Sequence, residues 1–369
     1  MKVIFFANTD WYLYNFRLDF ARALRKAGHE VVLLSPEGPY RSKIQDAGFR
    51  WLEFPLSRRG MNPFIEAFTI LRLIRIYQQE KPDIVHHYTI KCVVYGSTAA
   101  HIGGVKKIIN SITGLGYVFL NKGYLAGLLR GLTVLWYRII LAGTKVIFLN
   151  RDDMEFFIRS SMVKHQDAVF IAGDGVDMDH FSKRSAVETD NPLVVLVSRM
   201  LFDKGIAEYV EAARLIKNTG IRARFALVGN IDDGNPSAIS QTQIETWQRE
   251  GCIEWWGWRD NMVDVYHQAE VGCLPSYREG LPKMLIEAGA CGLPLVASDV
   301  PGCRDVVSEG DNGFLVPPGD AGSLAEALTK LVVNPTLRKK MGQCSRELIN
   351  RKYALPIIIE QTMAVYGEP

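Results

Sequence analysis

Short apolar runs alternate with longer amphipathic ones from the first residues onward. Val3–Ala7 and Val31–Ser35 read as strands on either side of a helix over Phe16–Ala27, with Gly28-His29-Glu30 as the turn between them. Strand-length runs recur at Trp51–Phe54, Ile84–His87, Lys107–Ser111 and Val146–Leu149. The rhythm resumes with Leu193–Val197, Phe225–Val228, Ile253–Trp256, Val271–Leu274, Pro294–Ala297 and Phe314–Val316. Alternating strands and helices predict parallel sheets covered by helices, an α/β protein. The polar stretch Lys183–Asn191 reads as a linker between two such series, giving domains at 1–181 and 182–350. A last helix over Leu355–Tyr366 falls in the 351–369 segment.

Two helices break the ordinary pattern. Residues 56–80 carry an apolar stripe of Phe64, Phe68, Leu71 and Ile74 beside Arg58, Arg59, Arg72 and Arg75. From Tyr124 to Leu141, the residues Leu125, Leu128, Leu129, Leu132, Leu135, Trp136, Ile139 and Ile140 follow the i, i+3, i+4, i+7 rule. Arg130 and Arg138 interrupt this run, and a membrane span needs about 20 nearly uncharged residues, so the segment lies on a surface and does not cross a bilayer. A core-facing helix and docking against an anionic bilayer are both open, and different faces can serve both.

Charge sharpens that choice. The 369-residue chain has a net charge of only +3, yet residues 1–150 hold 20 Lys and Arg against 9 Asp and Glu. No acidic residue falls between Asp83 and Asp152, a span with Lys91, Lys106, Lys107, Lys122, Arg130, Arg138 and Lys145. A one-signed half points to an anionic partner. The composition, 48% hydrophobic and 22% charged, is that of a folded protein. Six scattered cysteines without CxxC or zinc spacing predict a reducing compartment and no structural metal. The opening residues read as a first strand and not as a signal peptide.

The densest chemistry lies in Pro275–Glu287, where a buried strand, a polar loop and a helix start follow one another. Pro282 suits a first helical turn, whose free N–H groups and positive dipole end suit a phosphate. Glu279 in the loop and Glu287 in the helix bracket that turn, and a carboxylate can accept two hydroxyls at once. Hydroxyls at both ends with phosphate between describe a nucleotide sugar; the bland alternative is a surface helix with an acidic cap. Ser198–Gly205 follows another strand and supplies Arg199 and Lys204, two fixed cations that can neutralise a departing diphosphate.

Ser276–Pro282, Glu287-Ala288 and Gly292–Gly302 together resemble the signature of retaining family 4 glycosyltransferases of the GT-B fold. That resemblance implies two Rossmann-like domains facing across a cleft and a C-terminal helix crossing back to the first. It implies catalytic or charge-neutralising roles for Arg199, Lys204 and Glu279, with Glu279 holding a donor-sugar hydroxyl and Glu287 the ribose. Donor contacts are implied for Gly175, Gly229, Gly280, Leu281, Pro282 and Lys283, with Arg259 near the base. Asp177-Met178-Asp179 sits in a segment resembling the family's interdomain loop, where no metal is expected.

Ile84–Lys91 and Ser111–Gly116 resemble the subset that builds lipid-linked surface glycans. His86 and Lys91 match that pattern, while Tyr88 and Ile90 replace its second histidine and its proline. The resemblance makes His86 a candidate catalyst; a satisfied structural histidine at a strand end is the alternative. Lys91, Thr113 and Gly114, with Asn15 and Arg17 in the first strand–helix loop, are the implied acceptor contacts. Trp11-Tyr12-Leu13-Tyr14 can stack on sugar, touch lipid or simply staple the next helix.

The implied activity is retaining transfer of a hexose or N-acetylhexosamine, with N-acetylgalactosamine as first choice from the likeness of Asn235-Pro236-Ser237. The donor is a UDP-sugar and the acceptor a polyprenyl-diphosphate-linked saccharide. No cofactor or metal is expected, and no nucleic acid. The protein is expected in the cytoplasm, peripheral at the inner face of the membrane. A non-catalytic nucleotide-sugar-binding subunit and a GT-B sugar-nucleotide epimerase are the rivals.

Overall fold

The computed structural model describes residues 1–57, 62–114, 124–183 and 189–367, with the side chains of residues 63, 124–130 and 132 also left out of the description. Expectations placed on Arg58, Arg59, Leu115, Gly116 and Lys122, and on the side chains of Leu125, Leu128, Leu129, Arg130 and Leu132, therefore lie outside the described residues.

The chain forms two compact units: Met1–Asp174 with Ile358–Pro369, and Gly175–Ile357. In the first, strands β1 (Lys2–Phe6), β2 (Glu30–Ser35), β3 (Arg50–Glu53), β4 (Ile84–Tyr88), β5 (Lys107–Ile112), β6 (Lys145–Phe148) and β7 (Ala168–Phe170) make one sheet of order β3-β2-β1-β4-β5-β6-β7. Every pairing is parallel. The second unit holds β8 (Leu193–Val197), β9 (Arg224–Val228), β10 (Glu254–Gly257), β11 (Val271–Leu274), β12 (Leu295–Ser298) and β13 (Gly313–Val316) in the order β10-β9-β8-β11-β12-β13, again parallel. Central strands are buried at nearly every position, as sheets covered on both faces require. The edge strand β7 escapes a sequence reading because three half-buried residues show no period.

The division differs from that expected at 181/182 and 350/351. Val176 accepts from the Leu355 N–H and donates its own to Tyr353, each at 2.9 Å, and the Arg346 guanidinium bonds the carbonyls of Met178 and Phe181. These bonds draw residues 175–181 and the end of the long helix Pro335–Tyr353 into the second unit. Polar composition marked the linker; backbone pairing set the boundary.

Both unusual helices form, each with some apolar residues in the core and others exposed. Pro63–Glu80 starts at an Asn62 cap, later than residue 56. It buries Leu73, Ile74 and Tyr77 in the core and leaves Phe64, Phe68 and Leu71 exposed by 85, 63 and 54%. Tyr124–Ile140 seats Tyr137 and Ile140 against Phe148 and Phe157, and exposes Leu135, Trp136 and Ile139. Among the described residues, no helix is long and apolar enough to cross a membrane. The helix after β1 contains a π-helical turn over Leu13–Arg17, a feature frequent at functional sites.

Candidate active site

In the second unit the chain order reverses between β8 and β11, and ligands of open α/β sheets bind beyond the strand ends at such a switch point. The loops after these two strands carry Arg199, Lys204 and Glu279–Lys283. They are tied together: the Tyr277 N–H and the Ser276 hydroxyl both donate to the Asp203 carbonyl, at 3.0 and 3.1 Å. Their approach demands glycine at 205, where φ is +71° and a Cβ would lie 1.9 Å from the Pro275 oxygen. Gly229, after β9, is equally constrained, its absent Cβ 1.9 Å from the Ser198 oxygen.

Within this frame the Lys204 ammonium lies 2.6 Å from Glu279 Oε1, both side chains largely shielded. Arg199 reaches Asp232 Oδ2 at 2.7 Å, and this pair is open to water, at 61 and 33% exposure. Pro282 is the cap and not the first helical residue, with ψ of 101°; the helix runs Lys283–Ala290, and the Leu285 N–H donates to the Pro282 carbonyl at 3.1 Å. Gly302 supports that loop from behind, as a Cβ there would stand 2.6 Å from the Gly280 oxygen.

Glu287 is buried on the same helix. The Tyr266 hydroxyl donates to its Oε2 at 2.9 Å, and Lys283 Nζ lies 3.5 Å from Oε1. Burial raises its pKa above the ordinary carboxylate value, against the opposing pull of Lys283, Tyr266 and His180. Gly175 opens the unit with φ of +79°, and Asp177 uses its Oδ1 to accept the N–H groups of Asp179 and His180. Arg259 lies 6.0 Å over Trp256, while Trp255 Nε1 donates to the Gly229 carbonyl at 3.0 Å.

In the first unit the order reverses between β1 and β4. A cavity of about 400 Å³ lies there, lined by Asn8, Leu56, Thr89, Ile90, Lys91, Thr113 and Gly114. Thr89, at φ of +71°, precedes the helix Ile90–Gly103, a strained backbone for a β-branched residue. Lys91 at its rim is held by Glu66 Oε1 at 2.8 Å and the Ser57 carbonyl at 2.6 Å. Asn15 donates to the Trp11 carbonyl.

Two expected site residues in this unit are interior. Arg17 pairs with Asp174 Oδ1 at 2.6 Å, donates to the Tyr12 hydroxyl at 2.6 Å and stacks 4.2 Å over Tyr88. His86 has no exposed surface. Its Nδ1 meets the hydroxyls of Tyr366 and Tyr88 at 2.6 and 2.8 Å, and its Nε2 meets Ser111 Oγ at 2.7 Å. Burial, with Arg17 nearby, drives its pKa well below the ordinary histidine value, so the ring is neutral, with hydroxyls at both nitrogens. Sequence reasoning missed Asp174, Asp232 and Tyr266. Only Asp232 carried a signal, an Asp-Asp-Gly loop after a strand.

The profile of the glycosyl transferases group 1 family matches residues 177–348, and that of the glycosyl transferase 4-like family residues 2–149. The chain is 26% identical over 356 residues to N,N'-diacetylbacillosaminyl-diphospho-undecaprenol alpha-1,3-N-acetylgalactosaminyltransferase of Campylobacter jejuni, covering 93% of this chain and 92% of the other. It is 24% identical over 334 residues to UDP-Gal:alpha-D-GlcNAc-diphosphoundecaprenol alpha-1,3-galactosyltransferase of Escherichia coli, covering 86% and 84%. Its fold is like that of Anabaena Alr3699/HepE, solved in complex with UDP, with a TM-score of 0.79 at 16% identity over the whole of both chains. The chain belongs to the family 4 glycosyltransferases of the GT-B fold.

Proposed function

We propose that this glycosyltransferase moves a hexose or N-acetylhexosamine, with N-acetylgalactosamine as first choice, from a UDP-sugar to a polyprenyl-diphosphate-linked saccharide with retention of configuration. The observation that carries the reading is the gathering of Arg199, Lys204 and Glu279 on the two switch-point loops of the second unit, with Glu287 on the helix that one loop opens. The C. jejuni and E. coli relatives are named for undecaprenyl-diphosphate-linked substrates, and HepE was solved with UDP, which supports the donor and acceptor classes.

In this reading the Glu287 carboxylate takes ribose hydroxyls, the N–H groups of Gly280, Leu281 and Lys283 take phosphate oxygens beside Pro282, and Glu279 grips the sugar. The bond from C1 to the UDP oxygen breaks while the acceptor oxygen bonds C1 on the same face. The acceptor's proton passes to the leaving phosphate, whose charge Arg199 and Lys204 neutralise without requiring a metal. Gly175 and Gly229 admit the donor's backbone-close groups. On the acceptor side, Asn15, Lys91, Thr113 and Gly114 border the approach, while Arg17 and His86 hold the frame from inside. The exposed faces of Pro63–Glu80 and Tyr124–Ile140 rest on an anionic membrane surface, making the enzyme peripheral at the cytoplasmic face.

The test is transfer of radiolabel from UDP-N-acetylgalactosamine, UDP-galactose or UDP-N-acetylglucosamine to an undecaprenyl-diphosphate saccharide, with and without EDTA. Label should enter the lipid phase as an α-linked product, EDTA should not prevent it, and Lys204→Ala should abolish it. A β-linked product defeats retention, and no transfer from any UDP-sugar defeats the donor assignment.

A further inference from the structure

The two cations of the donor loop are held in unlike ways. Lys204 and Glu279 form a shielded pair, with side-chain exposures of 21 and 11%. Arg199 pairs with Asp232 in the open, on the loop that follows β9. That loop does not need this pair to stay in place. The Met200 N–H donates to the Asn230 carbonyl at 3.0 Å, and the Ile239 N–H to the Met200 carbonyl at 3.0 Å. The Phe202 N–H donates to the Ser237 carbonyl at 2.8 Å. Ser237 Oγ accepts from the Asp203 N–H at 3.2 Å and donates to Asp203 Oδ1 at 2.8 Å. Five bonds thus zip residues 230–239 onto residues 200–203 while Asp232 spends its carboxylate on a water-exposed guanidinium.

An exposed carboxylate–guanidinium pair is weak and screened by salt. A nucleoside diphosphate brings two or more negative charges and a fork of oxygens, which a guanidinium prefers to a lone carboxylate. We propose that Asp232 is a displaceable counter-ion: it holds Arg199 while the site is empty, yields it to the diphosphate of the donor, and reclaims it as the nucleoside diphosphate product leaves. The inference rests on the donor-site reading above and adds to it a residue that loosens the grip. The guanidinium swings between two anions with its loop fixed. Competition for Arg199 lowers affinity for product as well as for donor, so the residue trades binding strength for release.

Titration calorimetry of the full chain with UDP separates the possibilities. Arg199→Ala should weaken UDP binding at least tenfold; unchanged binding would defeat the donor-site reading itself. With that result in hand, Asp232→Asn, which keeps shape and removes charge, should tighten UDP threefold to tenfold. In an Arg199→Ala background the same Asp232→Asn change should alter affinity by less than twofold. Equal tightening in both backgrounds would make Asp232 a plain repulsive charge, and unchanged or weakened binding in the single variant would make it a strut for the loop. Either result overturns the counter-ion, and leaves the donor site standing.

Discussion

Both units place polar side chains where a parallel sheet reverses its order, yet they use them differently. In the first, Arg17, Tyr12, Tyr88, His86, Ser111, Tyr366 and Asp174 are spent on one another below the surface. In the second, Arg199 and Asp232 meet in water, and Glu287 is buried with one carboxylate oxygen taken by Tyr266 and a lysine beside the other. The Arg17–Asp174 pair is shielded, with side-chain exposures of 8 and 17%, whereas the Arg199–Asp232 pair is open, at 61 and 33%. A buried ion pair loses the competing water that would let a substrate displace it, whereas an exposed one is already exchanging with solvent.

The largest expected effect tests that contrast directly. Asp174→Ala strands the Arg17 guanidinium in the interior with a phenol and a ring face as its remaining company. Removing one partner of a buried pair costs about 3–5 kcal/mol, which thermal unfolding would register as a large drop in Tm. Asp232→Ala, by contrast, should leave stability within about 0.5 kcal/mol of the parent. Comparable losses from the two changes would erase the distinction between frame and site.

A second test uses acid. His87 is buried against Asn110 and Tyr77, and burial pulls its pKa down to about 4, while His86 is pushed well below the ordinary value. Both are neutral in the fold, so below pH 6.5 the unfolded chain takes up protons that the folded one refuses. Stability contributed by these rings is whole above pH 6.5 and lost as pH falls toward 4. Hydrogen exchange followed by mass spectrometry should show β4 and β5 of the first unit losing protection across that window before β8 and β11 of the second. Simultaneous loss in both would mean that the histidines do not set the acid limit.

Much of this was readable from the chain. Apolar runs located twelve of the strands within a residue or two, because a strand buried on both faces leaves a nearly unbroken apolar signal. The final helix matched its expected span, and the motif around Glu279 lies on the predicted strand–loop–helix. Residue type could not report depth. Arg17 and His86 have the chemistry of ligands, and only tertiary packing reveals that Asp174 and Tyr366, distant in sequence, have already occupied them. The stripe on Pro63–Glu80 could not be assigned to core or surface for a related reason: two apolar faces share one helix, and periodicity does not say which the core takes. Tyr266 was invisible because a buried tyrosine reads as packing until its hydroxyl is seen on Glu287.

The smallest expected effect concerns that carboxylate and carries the comparison to a single residue. Glu287 is ionised at neutral pH only against its burial, since its folded pKa lies above the unfolded value. The folded state therefore holds its proton longer than the unfolded chain does, and what this group contributes to stability is complete below the unfolded pKa and lost as pH rises through the folded one. Glu287→Gln keeps an oxygen for the Tyr266 hydroxyl and removes the buried charge. It should raise stability at pH 7 by up to about 1 kcal/mol, with the gain vanishing near pH 4, where the parent is protonated. The same variant should bind UDP more weakly, because an amide offers the ribose one acceptor and a misplaced donor. A fold made steadier by the change that impairs binding is what a site residue, and not a frame residue, would give; Asp174→Ala should show the reverse balance, with UDP affinity retained by whatever fraction stays folded.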